Sequence, residues 1–176
     1  MHATHEQDHR QISVGILTIS DKASAGVRDD RGGPTIREIV EAAGARVAAY
    51  EVIPDEQPEI AGALTRLADE RDLDVVFTTG GTGLAPRDVT PQATLAVIDY
   101  EVPGLAEAMR AASLAQTPAA MLSRAVAGVR RRTLIVNLPG NPKGVRECLE
   151  VVMPAIPHAV STLRAEVGEH QAPSAG

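Results

Sequence analysis

Residues 78–91, Thr-Thr-Gly-Gly-Thr-Gly-Leu-Ala-Pro-Arg-Asp-Val-Thr-Pro, constrain the chain more than any other stretch. They follow residues 73–77, Leu-Asp-Val-Val-Phe, which have the length and Val/Phe content of a buried strand, so the loop hangs from a strand end. Gly80, Gly81 and Gly83, with Thr82 between them, lack the Cβ that would keep backbone from a ligand, and their N–H groups can turn toward one point. Such a concavity suits phosphate. Arg87 can fork onto phosphate oxygens and Asp88 can hold a hydrated Mg²⁺. Thr90 before Pro91 reads as a helix N-cap and first helical residue, which would aim a second helix start at the same place. A glycine-rich surface turn before a capped helix is the plainer reading of GGTG alone.

A strand that delivers a ligand loop needs neighbours, and the rest of the chain supplies them. Residues 12–20 alternate and then run apolar, as a central parallel strand does, and end in Ser20-Asp21 and further small polar residues. That exit can line a ligand crevice or be a solvated loop with an Asx-turn. Gly32-Gly33-Pro34 opens a helix with Ile36, Ile39, Val40 and Ala43 on one face, and Gly44 closes it. Residues 45–53 form a second strand, which exits through Pro54-Asp55-Glu56; Asp55 could cap the helix that follows, whose stripe is Ile60, Leu64 and Leu67. All strand-to-helix loops of an open parallel sheet leave the same edge, so Asp21, Asp55 and Asp88 are expected to converge there.

Further on, residues 91–99 and 103–116 read as helices, the second with Leu105, Ala108, Met109 and Ala112 on one stripe. A linker containing Ser123 leads to a weak strand at 125–129. Arg130-Arg131-Arg132 then joins it to a strong strand at 133–138, as an antiparallel connection or an anion-binding triplet. The last strand runs through Asn137 and Leu138 into Pro139-Gly140-Asn141-Pro142-Lys143, a second candidate anion site or a rigid turn with a solvated lysine. The following helix buries Val145, Cys148, Leu149 and Val152, and Pro154 and Pro157 interrupt what comes after.

Composition narrows the function classes. With 176 residues, 44% of them hydrophobic, one α/β domain is expected over residues 11–166, between disordered tails at 1–10 and 167–176. His2, His5 and His9 in the first tail could bind metal, but a disordered end is the plainer reading. The chain has no Trp, one Phe and a net charge of −6, which argues against nucleic-acid partners held by stacking or by phosphate contacts. No stretch approaches the ~20 apolar residues of a membrane span. A single cysteine fits a reducing compartment, so a cytoplasmic protein is expected.

At Ile53-Pro54-Asp55-Glu56, at residues 78–91 and at Leu138-Pro139-Gly140-Asn141-Pro142-Lys143 the sequence resembles the molybdenum cofactor biosynthesis family of MogA and MoaB, over roughly residues 12–164 and in family order. It resembles less closely the related domains of molybdenum insertases and competence-damage proteins. The resemblance implies a three-layer α/β/α sandwich with a mostly parallel sheet, a homotrimer, and transfer of AMP from ATP to molybdopterin with release of pyrophosphate. It makes Asp55 and Asp88 the essential carboxylates, with Mg²⁺ as the metal they hold. It places Ser20, Asp21, Gly80, Gly81, Thr82, Gly83, Arg87, Thr90, Ser123, Asn137, Pro139, Gly140 and Lys143 around the nucleotide and pterin, and makes a molybdenum insertase a candidate partner. The alternative is a MoaB-like pterin-binding or scaffolding protein without adenylyl transfer.

Overall fold

The computed structural model describes residues 10–165; the two tails expected from sequence, with four of the five histidines, lie outside the described residues, apart from Arg10. In chain order the elements are β1 (Ser13–Ile19), α1 (Asp21–Ser24), α2 (Gly32–Ala42), β2 (Arg46–Ile53), α3 (Gln57–Asp69), β3 (Val75–Thr79), α4 (Thr90–Val97), β4 (Tyr100–Glu101), α5 (Pro103–Leu114), β5 (Ala127–Arg130), β6 (Thr133–Leu138), α6 (Pro142–Val152) and α7 (Ile156–Ala165). Short 3₁₀ turns at Pro118–Leu122 and Met153–Ala155 fill two of the connections.

The sheet order is β2-β1-β3-β6-β5-β4. β2, β1, β3 and β6 pair in parallel, whereas β5 and β4 are antiparallel. Alternation along each strand separates two cores. Val14, Ile16, Val75, Phe77, Leu134 and Val136 face α2, α5, α6 and α7, while Leu17, Ile19, Val76 and Ile135 face α3 and α4. These are the three layers expected. Gly15 leaves room for the residues after α3, since a Cβ there would lie 2.8 Å from the end of the Leu73 side chain and make it shift.

Local structure departs from the sequence reading at some places and decides between alternatives at others. Residues after β1 are not a loop: Ser20 caps the short helix α1, its Oγ accepting the Ala23 N–H. Two residues at the sheet edge form β4, too short and too exposed to carry a period. α5 buries Ala106 and Met109 rather than a stripe including Ala108, which is exposed. The arginine triplet is the antiparallel connection of the two readings offered: Arg130 pairs with Asp69 and Arg132 with Asp72, around a tight turn with Arg131 at φ 55°.

The end of the sheet remote from the glycine loop is tied by Asp74. Its carboxylate accepts the Ser13 N–H and hydroxyl at 2.8 and 2.9 Å and a fork from Arg164 at 3.0 and 2.7 Å. One buried carboxylate thus joins β1, the start of β3 and α7.

Candidate active site

The parallel strands bring Asp21, Asp55 and Asp88 to one edge, as the topology requires. Asp55 Oδ2 accepts the Asp21 N–H at 2.8 Å, and Asp21 Oδ1 accepts the Asp55 N–H at 3.0 Å, so the exits of β1 and β2 are stitched reciprocally. Asp55 does not cap α3, whose N-cap is Glu56 without a side-chain cap bond. It reaches the glycine loop instead, with Oδ1 3.2 Å from where a Cβ of Gly81 would be. Asp88 approaches from the other side: its Oδ2 accepts the Ala85 N–H at 3.0 Å and lies 2.8 Å from where a Cβ of Gly83 would be. Glycine is therefore needed between the two carboxylates.

Burial pushes the Asp55 carboxyl above the ordinary range; the Asp21 N–H opposes this, and the charges of Asp21 and Asp88 add to it. Asp21 goes the other way, held low first by its hydrogen bonds from Arg87 and then by the Asp55 N–H. One strand exit thus carries a firmly ionised carboxylate and its neighbour a strained one, a separation typical of functional sites.

Arg87 differs from expectation. Its guanidinium forks onto both Asp21 oxygens at 2.9 Å and reaches Glu56 at 2.9 Å, so it clamps the acidic exits rather than standing free for phosphate. Thr90 is the first residue of α4, not its N-cap, and its buried hydroxyl donates to the Gly80 carbonyl at 2.9 Å. Gly80 and Gly81 have φ of 99° and 68°, which the loop needs for its turn. The Gly80 N–H is not a ligand donor, because it donates to the Leu138 carbonyl at 3.2 Å. The N–H groups of Gly81, Thr82 and Gly83 have no protein acceptor among the described residues.

Two cavities flank this loop. The first, about 510 Å³, is lined by Thr82, Gly83, Ser123, Pro139 and Lys143 on its polar side, and by Leu84, Ala106 and Met109 on its apolar side. The second, about 600 Å³, is lined by Ser20, Gly80, Gly140, Asp29 and Asp30. Asn141 belongs to both and caps α6, its Oδ1 accepting the Gly144 N–H at 2.7 Å. Asn137 shapes the floor of the first cavity but offers it no hydrogen bond: it is fully buried, donates to Thr78 and Thr94 at 3.0 Å and accepts from the Val126 N–H. Lys143 lies in the first turn of α6 with its side chain 80% exposed and a loose contact of 3.9 Å to Glu147. A cation at a helix N-terminus is unfavourable by itself, and an anion bound between them would relieve that.

Sequence reasoning missed three participants. Asp30 accepts from Thr18 at 2.8 Å, from the Gly33 N–H at 3.1 Å and from the Tyr50 hydroxyl, fixing the start of α2 beside the second cavity. Burial first, and then Asp30, push the Tyr50 hydroxyl up to about 12. Arg124 donates to three groups around the glycine loop. Apart from the bond of Asp30 to the Gly33 N–H three residues on, these side chains act through contacts distant in sequence, for which no local motif exists.

Among the described residues no group of three or more His, Cys, Asp or Glu forms a metal cage. Mg²⁺ does not ask for one, since it keeps waters and is often held by one or two carboxylates together with substrate phosphates. Asp55 and Asp88 each use one oxygen internally, leave the other uncommitted among the described residues, and lie beside Gly81 and Gly83 of the same loop. These residues fit a cation that arrives with a nucleotide.

Comparison with known proteins agrees with this geometry. A family model described as "Probable molybdopterin binding domain" matches residues 15–158. A protein of Helicobacter pylori strain J99 named molybdopterin adenylyltransferase is 46% identical over 154 residues, covering 86% of this chain and 88% of that one. The protein of the same name from Escherichia coli K12 is 49% identical over 146 residues, covering 82% and 75%. The crystal structure of the molybdopterin biosynthesis enzyme MoaB from Thermus thermophilus is 56% identical and superposes with a TM-score of 0.83 over 87% of this chain and 96% of that one. With the fold, the glycine loop and the paired carboxylates all in place, the chain belongs to the molybdopterin-binding domain family of molybdenum cofactor biosynthesis proteins, which includes MogA and MoaB.

Proposed function

We propose that this protein is a molybdopterin adenylyltransferase, joining AMP from ATP to the terminal phosphate of molybdopterin and releasing pyrophosphate. The observation that supports this reading is the convergence of Asp55 on Gly81 and of Asp88 on Gly83, in a loop whose Gly80 and Gly83 border two cavities that neither carboxylate lines. An oxygen of the pterin phosphate attacks the α-phosphorus of ATP, and the bond from that phosphorus to the oxygen of the β-phosphate breaks. Two anions must be brought together in line, so positioning and charge neutralisation are the main tasks and no protein nucleophile is needed.

The residues divide accordingly. The uncommitted N–H groups of residues 81–83 and the Lys143 ammonium take phosphate oxygens, and Ser123 meets the substrate in the first cavity. Asp21 and Arg87 hold Asp55 in place. Asp55 and Asp88 would hold Mg²⁺, which supplies neutralising charge on the phosphates when bound. Pyrophosphate release by purified protein given ATP, Mg²⁺ and molybdopterin tests the assignment; tight pterin binding with no pyrophosphate would instead establish the scaffolding alternative.

We infer further that the protein works in the cytoplasm as a homotrimer and passes its adenylylated product to a molybdenum insertase. The single cysteine supports a reducing compartment, and the family resemblance supports the trimer. Among the described residues no helix is long and apolar enough to cross a membrane. Light scattering at micromolar concentration is expected to give three times the 18.5 kDa chain mass. A monomeric mass would contradict the trimer.

A further inference from the structure

Arg124 lies outside the motifs that define the site, in the linker between the 3₁₀ turn Pro118–Leu122 and β5. It is half-buried, and its side chain donates from Nε to the Gly83 carbonyl at 2.8 Å, from Nη2 to the Asp88 carbonyl at 2.6 Å and from Nη1 to Gln92 Oε1 at 3.2 Å. Its own N–H donates to the Thr82 carbonyl at 2.9 Å. One residue therefore holds the carbonyls of Thr82, Gly83 and Asp88, which span the loop between the last glycines and the second carboxylate. The linker is anchored in turn by Arg110 of α5, which donates to the Ser123 and Ala125 carbonyls at 3.3 and 2.8 Å.

This grip has two consequences. In a trans peptide the N–H points opposite to the C=O, so holding the Thr82 and Gly83 carbonyls turns the N–H groups of Gly83 and Leu84 away from Arg124. Neither of these donates to a protein acceptor among the described residues. Holding the Asp88 carbonyl fixes the backbone from which that carboxylate is aimed. Moreover Arg124 makes no ion pair among the described residues, so its permanent charge stays unneutralised beneath a loop read as phosphate-binding.

We infer that Arg124 is a positioning residue for adenylyl transfer: it locks residues 82–88 closed, presents their N–H groups and aims Asp88. This rests on the function proposed above. Lysine cannot replace it, since one ammonium lacks the planar fork that reaches separated carbonyls.

The test compares wild type, Arg124→Ala and Arg124→Lys. Amide hydrogen exchange at Ala85 and Asp88, whose N–H groups are hydrogen-bonded within the loop, is expected to speed up in both variants while the sheet core stays protected, an outcome independent of any activity. In the turnover assay kcat should fall on the order of 10-fold or more, with the Kd for molybdopterin little changed. Millimolar guanidinium should restore part of the rate to Arg124→Ala. In an Asp88→Asn background, removing Arg124 should cost much less than in wild type, because the group it aims is already disabled. Unchanged exchange in the loop, a kcat equal to wild type, or additive losses in the double variant would each overturn the inference. A wild-type protein without turnover would instead refute the proposed function, and the exchange result would still decide whether Arg124 locks the loop.

Discussion

Asp55→Asn and Asp88→Asn are each expected to lower adenylyl transfer by on the order of 10²-fold or more, the scale seen when a preorganised electrostatic contributor is removed, with the fold intact. The structure makes these substitutions unusually clean. Asp55 uses Oδ2 to accept the Asp21 N–H, and Asp88 uses Oδ2 to accept the Ala85 N–H. An amide oxygen can accept either bond, so the local geometry survives while the negative charge needed to position Mg²⁺ is lost.

The stability of Asp55→Asn sharpens the contrast. Burial raises the Asp55 pKa, so the folded state disfavours its ionised form. A group with a raised folded pKa favours folding below its unfolded pKa and loses that contribution as pH rises through the folded value. At neutral pH Asp55 therefore costs stability, and Asn should leave the melting temperature equal or higher. A slow enzyme with undiminished stability identifies a residue kept for function. Near wild-type turnover in Asp55→Asn at saturating ATP and Mg²⁺ would remove Asp55 from the mechanism. The same carboxyl should set the acid limb of the pH–rate profile, above the range of an ordinary aspartate.

The opposite result is expected at the other end of the sheet. Asp74→Asn should destabilise the protein by about 3 kcal/mol, because breaking a buried pair leaves an uncompensated charge. At roughly 2–4 °C per kcal/mol for a domain of this size, the melting temperature should drop by about 10 °C. Burial alone would raise the Asp74 pKa, but the hydrogen bonds from Arg164 and Ser13 outweigh it and the net shift is downward. The stability it supplies is therefore complete above the unfolded carboxyl value of about 3.9 and is lost as pH falls through the lower folded value. Thermal unfolding from pH 7 down to pH 3 should show wild type and variant converging toward the acid end. A constant gap between them, or none at pH 7, would refute this account of Asp74.

The two aspartates also show what is legible in the sequence. Parallel strands leave one edge, so the convergence of Asp21, Asp55 and Asp88 follows from strand order alone. The reciprocal bonds between Asp21 and Asp55 do not, because they depend on two loops meeting. Thr90 reads as a cap since Thr-Pro is a common helix opening, whereas the hydroxyl turns back to the Gly80 carbonyl. Arg87 looks like a phosphate ligand because its carboxylate partners, Asp21 and Glu56, are 66 and 31 residues away. Asp74 and Arg164, 90 residues apart, leave no local trace either. Periodicity and turn chemistry report on neighbours along the chain, while these side chains are satisfied by neighbours in space.

Adenylyl transfer moves the α-phosphorus of ATP, so the position of a label distinguishes it from any other use of ATP. Incubation of the purified protein with molybdopterin, Mg²⁺ and ATP labelled at either the α- or the γ-phosphate should put α-label into the pterin product and γ-label into pyrophosphate. Label from the γ-phosphate in the pterin, or ATP left intact beside bound pterin, would contradict adenylyl transfer by this protein.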